Sequence, residues 1–212
     1  MGYLSVSLYR YVHAHPQLHP HPQSPCSFFA SRTTSFSLPN PNSNSKLKLT
    51  HTTGGFRFLD LSVGRSAQYA SVLSRIKSGS QFLDIGCCFG QDVRRLIFDG
   101  APIANVHGSD LQQPFLDLGY DLFKDHDKLP SSTFIAADVF DASPASALKA
   151  FEGKVDIIHA ASFFHLFGYQ DSATVGRRFI GLLRKQPGGM IFGRQMGNRT
   201  AGEYEHLSLI HI

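Results

Sequence analysis

The sequence predicts an α/β protein in which helices cover both faces of a parallel sheet, a doubly wound architecture. Three observations predict it. From about residue 66 onward, short apolar runs alternate with stretches of helical periodicity, as in β–α–β crossovers. A glycine-rich turn joins one apolar run to the helical stretch that follows it, at residues 82–98. Acidic residues also close successive strands, at the edge where such sheets bind ligands.

Turn residues and helix caps divide the chain into elements. Ser66 is the predicted N-cap of the first helix, and residues 99–102 end the second, because they contain a glycine and a proline. Ser143, followed by Pro144 at the first helical position, predicts a short fourth helix. The predicted strands cover residues 81–85, 105–108, 133–137, 155–161 and 190–193. The predicted helices cover residues 66–76, 91–98, 113–123, 143–151 and 171–184.

Residues 1–54 differ in composition from the rest and predict a disordered, low-complexity leader. Histidines and prolines alternate at residues 13–22, and serine and asparagine follow, so too little apolar surface is present to offset the ordering entropy. A metal-binding histidine tract, a mitochondrial transit peptide and a segment absent from the native product are the alternatives. We expect an ordered domain at residues 55–205 and a short apolar tail at residues 206–212.

Charge and cysteine content exclude several classes of protein. The net charge is +4, but no acidic residue precedes Asp60, so the excess charge comes from the leader and the ordered part is near neutral. No basic stripe with interleaved aromatic residues indicates a nucleic-acid partner, and no apolar run reaches the roughly 20 residues of a membrane span. Three cysteines, two of them adjacent, form no disulfide framework. We therefore expect a reducing, cytoplasmic location, and the acid-free leader leaves a mitochondrial one open.

The glycine-rich turn after the first strand carries the first functional signal. Its spacing is Asp84-x-Gly86-x-Cys88-x-Gly90. A dinucleotide site would need glycine at positions 88 and 91, where this chain has Cys88 and Gln91, so a nicotinamide-dependent oxidoreductase is disfavoured. The turn instead resembles the first motif of class I S-adenosylmethionine methyltransferases, with cysteine in place of the middle glycine. The alternative is a tight strand-to-helix turn that binds no ligand.

The acids at the strand ends predict contacts with a nucleoside ligand. Asp110 can accept both hydroxyls of a ribose at the end of the second strand. Asp138, with the N–H of Val139 beside it, can reach an exocyclic amine such as adenine N6, and Asp84 can accept from an amino group. Each acid also has a purely structural interpretation. Asp110 and Asp138 are candidate helix caps, and Asp84 is a candidate for a hydrogen bond that braces the loop.

Residues 159–167, after the fourth strand, combine small and aromatic residues with two histidines. Aromatic faces attract a cationic sulfur, so a run of this composition would suit a site that holds a flat or apolar substrate against a sulfonium. His165 lies beyond the strand end, and it is the candidate base if the acceptor is a hydroxyl. For His159, inside the strand, a hydrogen-bonded core position is favoured over a catalytic one.

Longer phrases resemble a family of fungal methyltransferases similar to the austinol-type meroterpenoid-pathway enzymes. They are residues 56–61, 82–92, 119–123, 134–138, 156–167 and 193–195, and the resemblance covers residues 55–204. It implies S-adenosylmethionine as cofactor, a small-molecule secondary metabolite such as a terpenoid as acceptor, and methyl-ester formation on a carboxylate. The cofactor contacts that it implies are Asp84, Gly86, Cys88, Gly90, Asp110, Asp138 and Val139. The residues that it implies near the acceptor are Phe163, His165 and Arg194.

The end of the chain departs from the class I methyltransferase pattern, which continues past the fifth strand with a helix and two antiparallel strands. Residues 202–212 are too few for these elements, so we expect a truncated Rossmann-like sheet with residues 190–193 as an exposed edge. Because these elements are missing, we expect the truncated domain to have weak stability and doubtful activity. The alternative function is a non-catalytic module that binds the cofactor or a partner. We expect no metal, and the sequence predicts neither the methylated atom nor the oligomeric state.

Overall fold

A computed structural model of the protein describes the backbone of residues 5–11 and 57–196 and the side chains of residues 59–195. Its strands are β1 Ser5–Tyr11, β2 Phe82–Ile85, β3 Val106–Asp110, β4 Phe134–Ala136, β5 Ile157–His159 and β6 Met190–Met196. Its α-helices are α1 Tyr69–Lys77, α2 Gln91–Phe98, α3 Gln113–Phe123 and α4 Tyr169–Leu182. Short 3-10 helices include Arg57–Asp60, Val63–Arg65, Ala147–Phe151 and Phe164–Leu166.

The described strands form one parallel sheet in the order β1-β6-β5-β2-β3-β4. Phe82 of β2 pairs with Val106 of β3 on one side and with Ile157 of β5 on the other. The chain therefore moves outward from β2 to β4, then returns to the other side of β2 at β5. This reversal is the switch point of a Rossmann-like sheet, where ligands bind outside the carboxyl ends of the strands. The predicted fold class is confirmed.

Two hydrophobic cores cover the two faces of the sheet, because successive side chains of a strand point to opposite faces. Phe82 lies in the core that contains residues of α1, α2 and α3, including Val72, Val93 and Leu116. The next residue, Leu83, lies in the other core with Phe179 and further residues of α4. Helices thus pack on both faces, as predicted.

The strand β1 was not predicted. It pairs in parallel with β6 from Ser5 opposite Met190 to Tyr11 opposite Met196. The expectation that residues 190–193 form an exposed sheet edge is therefore wrong, because β6 exchanges backbone hydrogen bonds with β5 on one side and with β1 on the other. Residues 12–56 and 197–212, which carry the rest of the leader and the predicted tail, lie outside the described residues. The division into leader, domain and tail stays a prediction.

Two helix starts differ from the prediction because side chains bond to neighbouring N–H groups in turns instead. Helix α1 begins at Tyr69 without a side-chain cap, and Ser66 Oγ accepts from the N–H of Gln68 at 3.1 Å. Residues 143–151 do not form one helix: Asp141 Oδ1 accepts from the N–H of Ser143 at 2.9 Å, and a 3-10 helix begins only at Ala147. None of the helices among the described residues has the length and apolar character that crossing a bilayer requires.

Candidate functional site

The glycine-rich turn, hereafter the glycine loop (residues 86–90), folds over the carboxyl end of β3. The N–H groups of Gly86 and Cys87 both donate to Ser109 O, at 2.8 and 3.0 Å. Gly90 closes the turn, with its N–H donating to Cys87 O at 2.8 Å. Gly86 and Gly90 have φ angles of 77° and 68°, which glycine adopts without steric cost. The loop is thus fixed by backbone hydrogen bonds to the neighbouring strand.

Cys88 occupies the left-handed region of backbone conformation, with φ 53°. A glycine at this middle position of the motif would adopt the conformation without strain. Cysteine, which has a Cβ, adopts it at a cost of about 1–2 kcal/mol. Its N–H donates to Asp110 Oδ2 at 2.8 Å, so the loop is tied to the acid at the end of β3. Burial and the facing Asp110 raise the pKa of the Cys88 thiol to about 12, and the thiol is protonated at neutral pH.

Asp110 is partly exposed at the edge of the sheet, and both of its oxygens accept backbone hydrogen bonds. Oδ2 accepts from Cys88, and Oδ1 accepts from the N–H of Gln112 at 3.0 Å. Burial raises the pKa of Asp110, and these N–H groups oppose that rise. Each carboxylate oxygen has a second lone pair, so Asp110 can still accept from the hydroxyls of a ligand.

Asp138 and Val139 follow β4 on the same edge, next to Asp110. The N–H of Ala137 donates to Asp110 O at 2.9 Å, which joins this segment to the end of β3. Asp138 is exposed, and its Oδ1 accepts from the N–H of Phe140 at 2.8 Å, as in an Asx turn. The Val139 side chain is buried in the core on the α4 face. The predicted contacts of both residues with a ligand stay predictions.

Asp84 lies inside the sheet, not on its exposed edge. It is 2% exposed, and its Oδ1 is 2.8 Å from Nδ1 of His159, which is 1% exposed. The bond joins β2 to β5 at the switch point and agrees with the bracing role considered for Asp84. His159 is a hydrogen-bonded core residue, as favoured by its place inside a strand.

The residues proposed near an acceptor lie around the end of β5. Phe163 is buried at 9% exposure, and a Cβ on Gly86 would lie 2.6 Å from its ring, so the ring packs directly on the glycine loop. His165 is half-buried, with Nδ1 3.3 Å from Gln195 Oε1. Arg194 forms an ion pair with Asp60. The structure therefore places Phe163 in the core and the other two at its margin, and their contacts with an acceptor stay predictions.

The curated relatives of this chain include three fungal methyltransferases that match it over a similar number of residues. O-methyltransferase phiE of a fungal species is 48% identical over 153 residues, 72% of this chain and 50% of phiE. Methyltransferase trt5 of Aspergillus terreus is 45% identical over 149 residues, 70% of this chain and 53% of trt5. Asnovolin E/Chermesin D methyltransferase nvfJ of Aspergillus novofumigatus is 42% identical over 146 residues, 69% of this chain and 52% of nvfJ.

The chain is related to the fungal methyltransferases. It spans about half the length of the curated relatives that it matches. No family profile matches it. Among solved structures, a putative S-adenosylmethionine-dependent methyltransferase of Methanococcus maripaludis is 16% identical with a TM-score of 0.47, covering 74% of this chain and 69% of that one. The fold assignment rests on the strand order described above.

Two residues of the site, Asp92 and Gln195, carry almost no local sequence signal in this relative of the fungal methyltransferases. Asp92 of α2 is 2% exposed, and its Oδ2 accepts from Ser62 Oγ at 2.6 Å. Gln195 of β6 donates from Nε2 to Ala160 O at 3.1 Å, and its Oε1 accepts from the N–H of Phe163 at 3.1 Å. Their partners lie 30 or more positions away, so no local pattern reveals them. The one local signal is the position of Asp92 in the first helical turn after the glycine loop, which places it close to the loop.

Proposed function

We infer that this chain binds S-adenosylmethionine at the carboxyl edge of its sheet and that the whole protein methylates a small-molecule secondary metabolite. The observation that carries this inference is the hydrogen bond from the Cys88 N–H to Asp110 at 2.8 Å. It joins the glycine loop to the strand-end acid, the two features that a nucleoside cofactor needs side by side at a switch point. The similarity to named fungal methyltransferases supports the same conclusion.

The residues present fit the cofactor in three respects. Asp110 has lone pairs left for the ribose hydroxyls. Gln91 Oε1, at the first position of α2, is buried and has no hydrogen-bond partner among the described residues, so a donor from a ligand would satisfy it. Asp138 and the backbone of Val139 lie beside Asp110, where an adenine amine would need an acceptor. The proposed cofactor contacts are Asp84, Gly86, Cys88, Gly90, Asp110, Asp138 and Val139.

Within this set, Asp84 acts through its neighbours. Asp84 is 2% exposed and its Oδ1 faces His159, so we propose that it shapes the loop and that any contact with the amino end of the cofactor runs through its other oxygen or through water. Gly86 gives Phe163 room to pack on the loop, since a side chain there would clash with the ring. The aromatic ring would then supply a face that attracts a cationic sulfur held by the loop.

The proposed acceptor is a terpenoid carboxylate that is converted to its methyl ester. S-adenosylmethionine would supply a methyl group on a positively charged sulfur. A carboxylate is ionised at neutral pH and needs no general base, so the protein mainly orients the acceptor and excludes water. Arg194 is the candidate partner of the acceptor's carboxylate. To bind it, Arg194 would leave its ion pair with Asp60. His165 would act as a base only for a hydroxyl acceptor.

Isothermal titration of the full chain with S-adenosylmethionine tests the inference. We expect wild-type binding, and at least about tenfold weaker binding by Asp110→Asn, since charge-assisted hydrogen bonds to the ribose are lost. Asp117→Asn is the matched control, because Asp117 is an exposed aspartate of α3 whose Oδ1 accepts from Gln113 Nε2. No binding by the wild type, or equal binding by both variants, would contradict the inference. Binding without turnover on terpenoid acids would favour the non-catalytic module.

A further inference from the structure

A chain of polar side chains, buried except for the partly buried Ser62, connects the two ends of the glycine loop through His159. Asp84 Oδ1 lies 2.8 Å from His159 Nδ1, and Ser62 Oγ lies 3.5 Å from His159 Nε2. Ser62 Oγ donates in turn to Asp92 Oδ2 at 2.6 Å. Asp84 comes two residues before the loop and Asp92 two residues after it. One imidazole ring thus stands between the entry and the exit of the loop.

The protons of this chain follow from its donors and acceptors. Ser62 has one hydroxyl hydrogen, and it goes to the carboxylate of Asp92, so Ser62 can only accept from His159. The ring therefore carries a hydrogen on Nε2. A second hydrogen lies between the other nitrogen, Nδ1, and Oδ1 of Asp84. With that hydrogen on Nδ1 and Asp84 ionised, both ring nitrogens are donors and His159 is an imidazolium cation; with it on Asp84, the pair is neutral.

The surroundings of His159 agree with a charged ring. Burial alone would lower the pKa of His159, but the carboxylates of Asp84 and then Asp92 raise it above 6.5, while Arg194 of β6 opposes them. The same burial raises the pKa of Asp84; His159 lowers this pKa, whereas Asp92 and Asp110 raise it. The remaining faces of the ring are covered by Phe82 and Phe192, with centroids 6.2 and 4.9 Å away.

A shared metal ion is a poorer explanation of this cluster. Ligand atoms of Asp84, Asp92 and His159 lie within 4.8 Å of one another. However, Asp84 contacts Nδ1 of His159, whereas Asp92 is connected to Nε2 through the hydroxyl of Ser62. The two carboxylates are therefore connected to different nitrogens of the ring. Zinc would need its ligands around a single point.

We propose that His159 is a cationic positioning residue that holds the glycine loop closed by joining Asp84 to Ser62 and Asp92. The same link holds residues 62–63 against the loop, because the N–H of Val63 also donates to Asp92, at 3.1 Å. When His159 loses its proton, one of its two links loses its donor, and the loop keeps its backbone hydrogen bonds to Ser109 but loses this support at its ends. Cofactor affinity then falls, and this last step rests on the proposed function.

The first arm of the test observes the ring and the loop without cofactor. Nitrogen-15 spectra of the full chain should show both His159 nitrogens protonated at about pH 7, with a titration above the usual range of histidine. The amide signals of Gly86 and Gly90 should move with the same midpoint. His159→Gln, which identifies the signal, should remove that pH dependence. Any of three results would overturn the proposal. They are a neutral His159 ring at pH 7, amide signals of Gly86 and Gly90 that do not change as His159 titrates, and a metal bound at one equivalent.

The second arm measures the dissociation constant for S-adenosylmethionine against pH. It should be flat below the His159 midpoint and rise by up to about tenfold per pH unit above it, because one proton is linked to binding. Ser62→Ala should weaken binding at neutral pH and shift the midpoint. His126→Gln, on an exposed histidine, should leave the profile unchanged. A flat wild-type profile overturns the proposal, whereas no binding at any pH, with the first arm as expected, refutes only the proposed function.

Discussion

Replacement of Cys88 by glycine should leave the fold as stable as the Cys88→Ala variant or more stable. The left-handed backbone at φ 53° costs a residue with a Cβ about 1–2 kcal/mol, and glycine avoids that cost. Glycine also loses more entropy on folding, by about 0.5–1 kcal/mol. The balance is a gain of about 0–1.5 kcal/mol relative to Cys88→Ala, which keeps the Cβ. The hydrogen bond from the residue 88 N–H to Asp110 needs no side chain and is retained.

Urea denaturation of the two variants and the wild type measures this difference directly. Cys87→Gly is the matched control, because Cys87 is 1% exposed in the core and has no positive φ. It should lose about 2 kcal/mol or more through the cavity and the added backbone freedom. If Cys88→Gly were less stable than Cys88→Ala by more than about 1 kcal/mol, the strain argument and the described loop conformation would both be refuted.

Three further predictions concern the sheet, an ion pair and the acceptor. Gly193→Ala should fail to give a cooperative thermal transition, since its Cβ would lie 2.0 Å from Ala160 O; a normal melting curve would contradict the β5–β6 packing. Burial raises the pKa of Asp60, but Arg194 and Arg65 outweigh it and lower the pKa below 3.8. Its stabilising contribution is therefore present above pH 3.8 and lost as pH falls through the lowered value, and Asp60→Asn should flatten the acid limb of stability. His165→Ala should lower turnover of a carboxylate acceptor only modestly in steady-state assays, and a loss of many orders of magnitude would show that a base is required.

The parts of the fold that local patterns encode were predictable. The alternation of apolar runs with helical periodicity gave β2 to β6 and the helices α1 to α4, with differences of a few residues at their ends. The glycine loop and Asp110 were found because their spacing along the chain is fixed by a short strand–loop–helix unit. The structure adds the hydrogen bond from the Cys88 N–H to Asp110, which shows that the glycine loop and this acid lie side by side.

Long-range pairings were not predictable from one sequence. Ser62 and His159 are 97 positions apart, and nothing near either residue marks them as partners. Strand β1 was missed for a related reason: the composition of residues 1–54 outweighed the short polar–apolar alternation at residues 5–8. Its pairing depends on an open edge of β6, which is a property of the assembled sheet.

The adjacent thiols of the glycine loop give the protein an internal reporter of unfolding. Burial raises the pKa of Cys87 well above 9, and that of Cys88 to about 12, so both resist alkylating reagents in the native state. Once the loop detaches from β3, the two sulfurs regain ordinary reactivity. The rate at which iodoacetamide labels the peptide that contains them therefore measures how often this region opens, without any engineered probe.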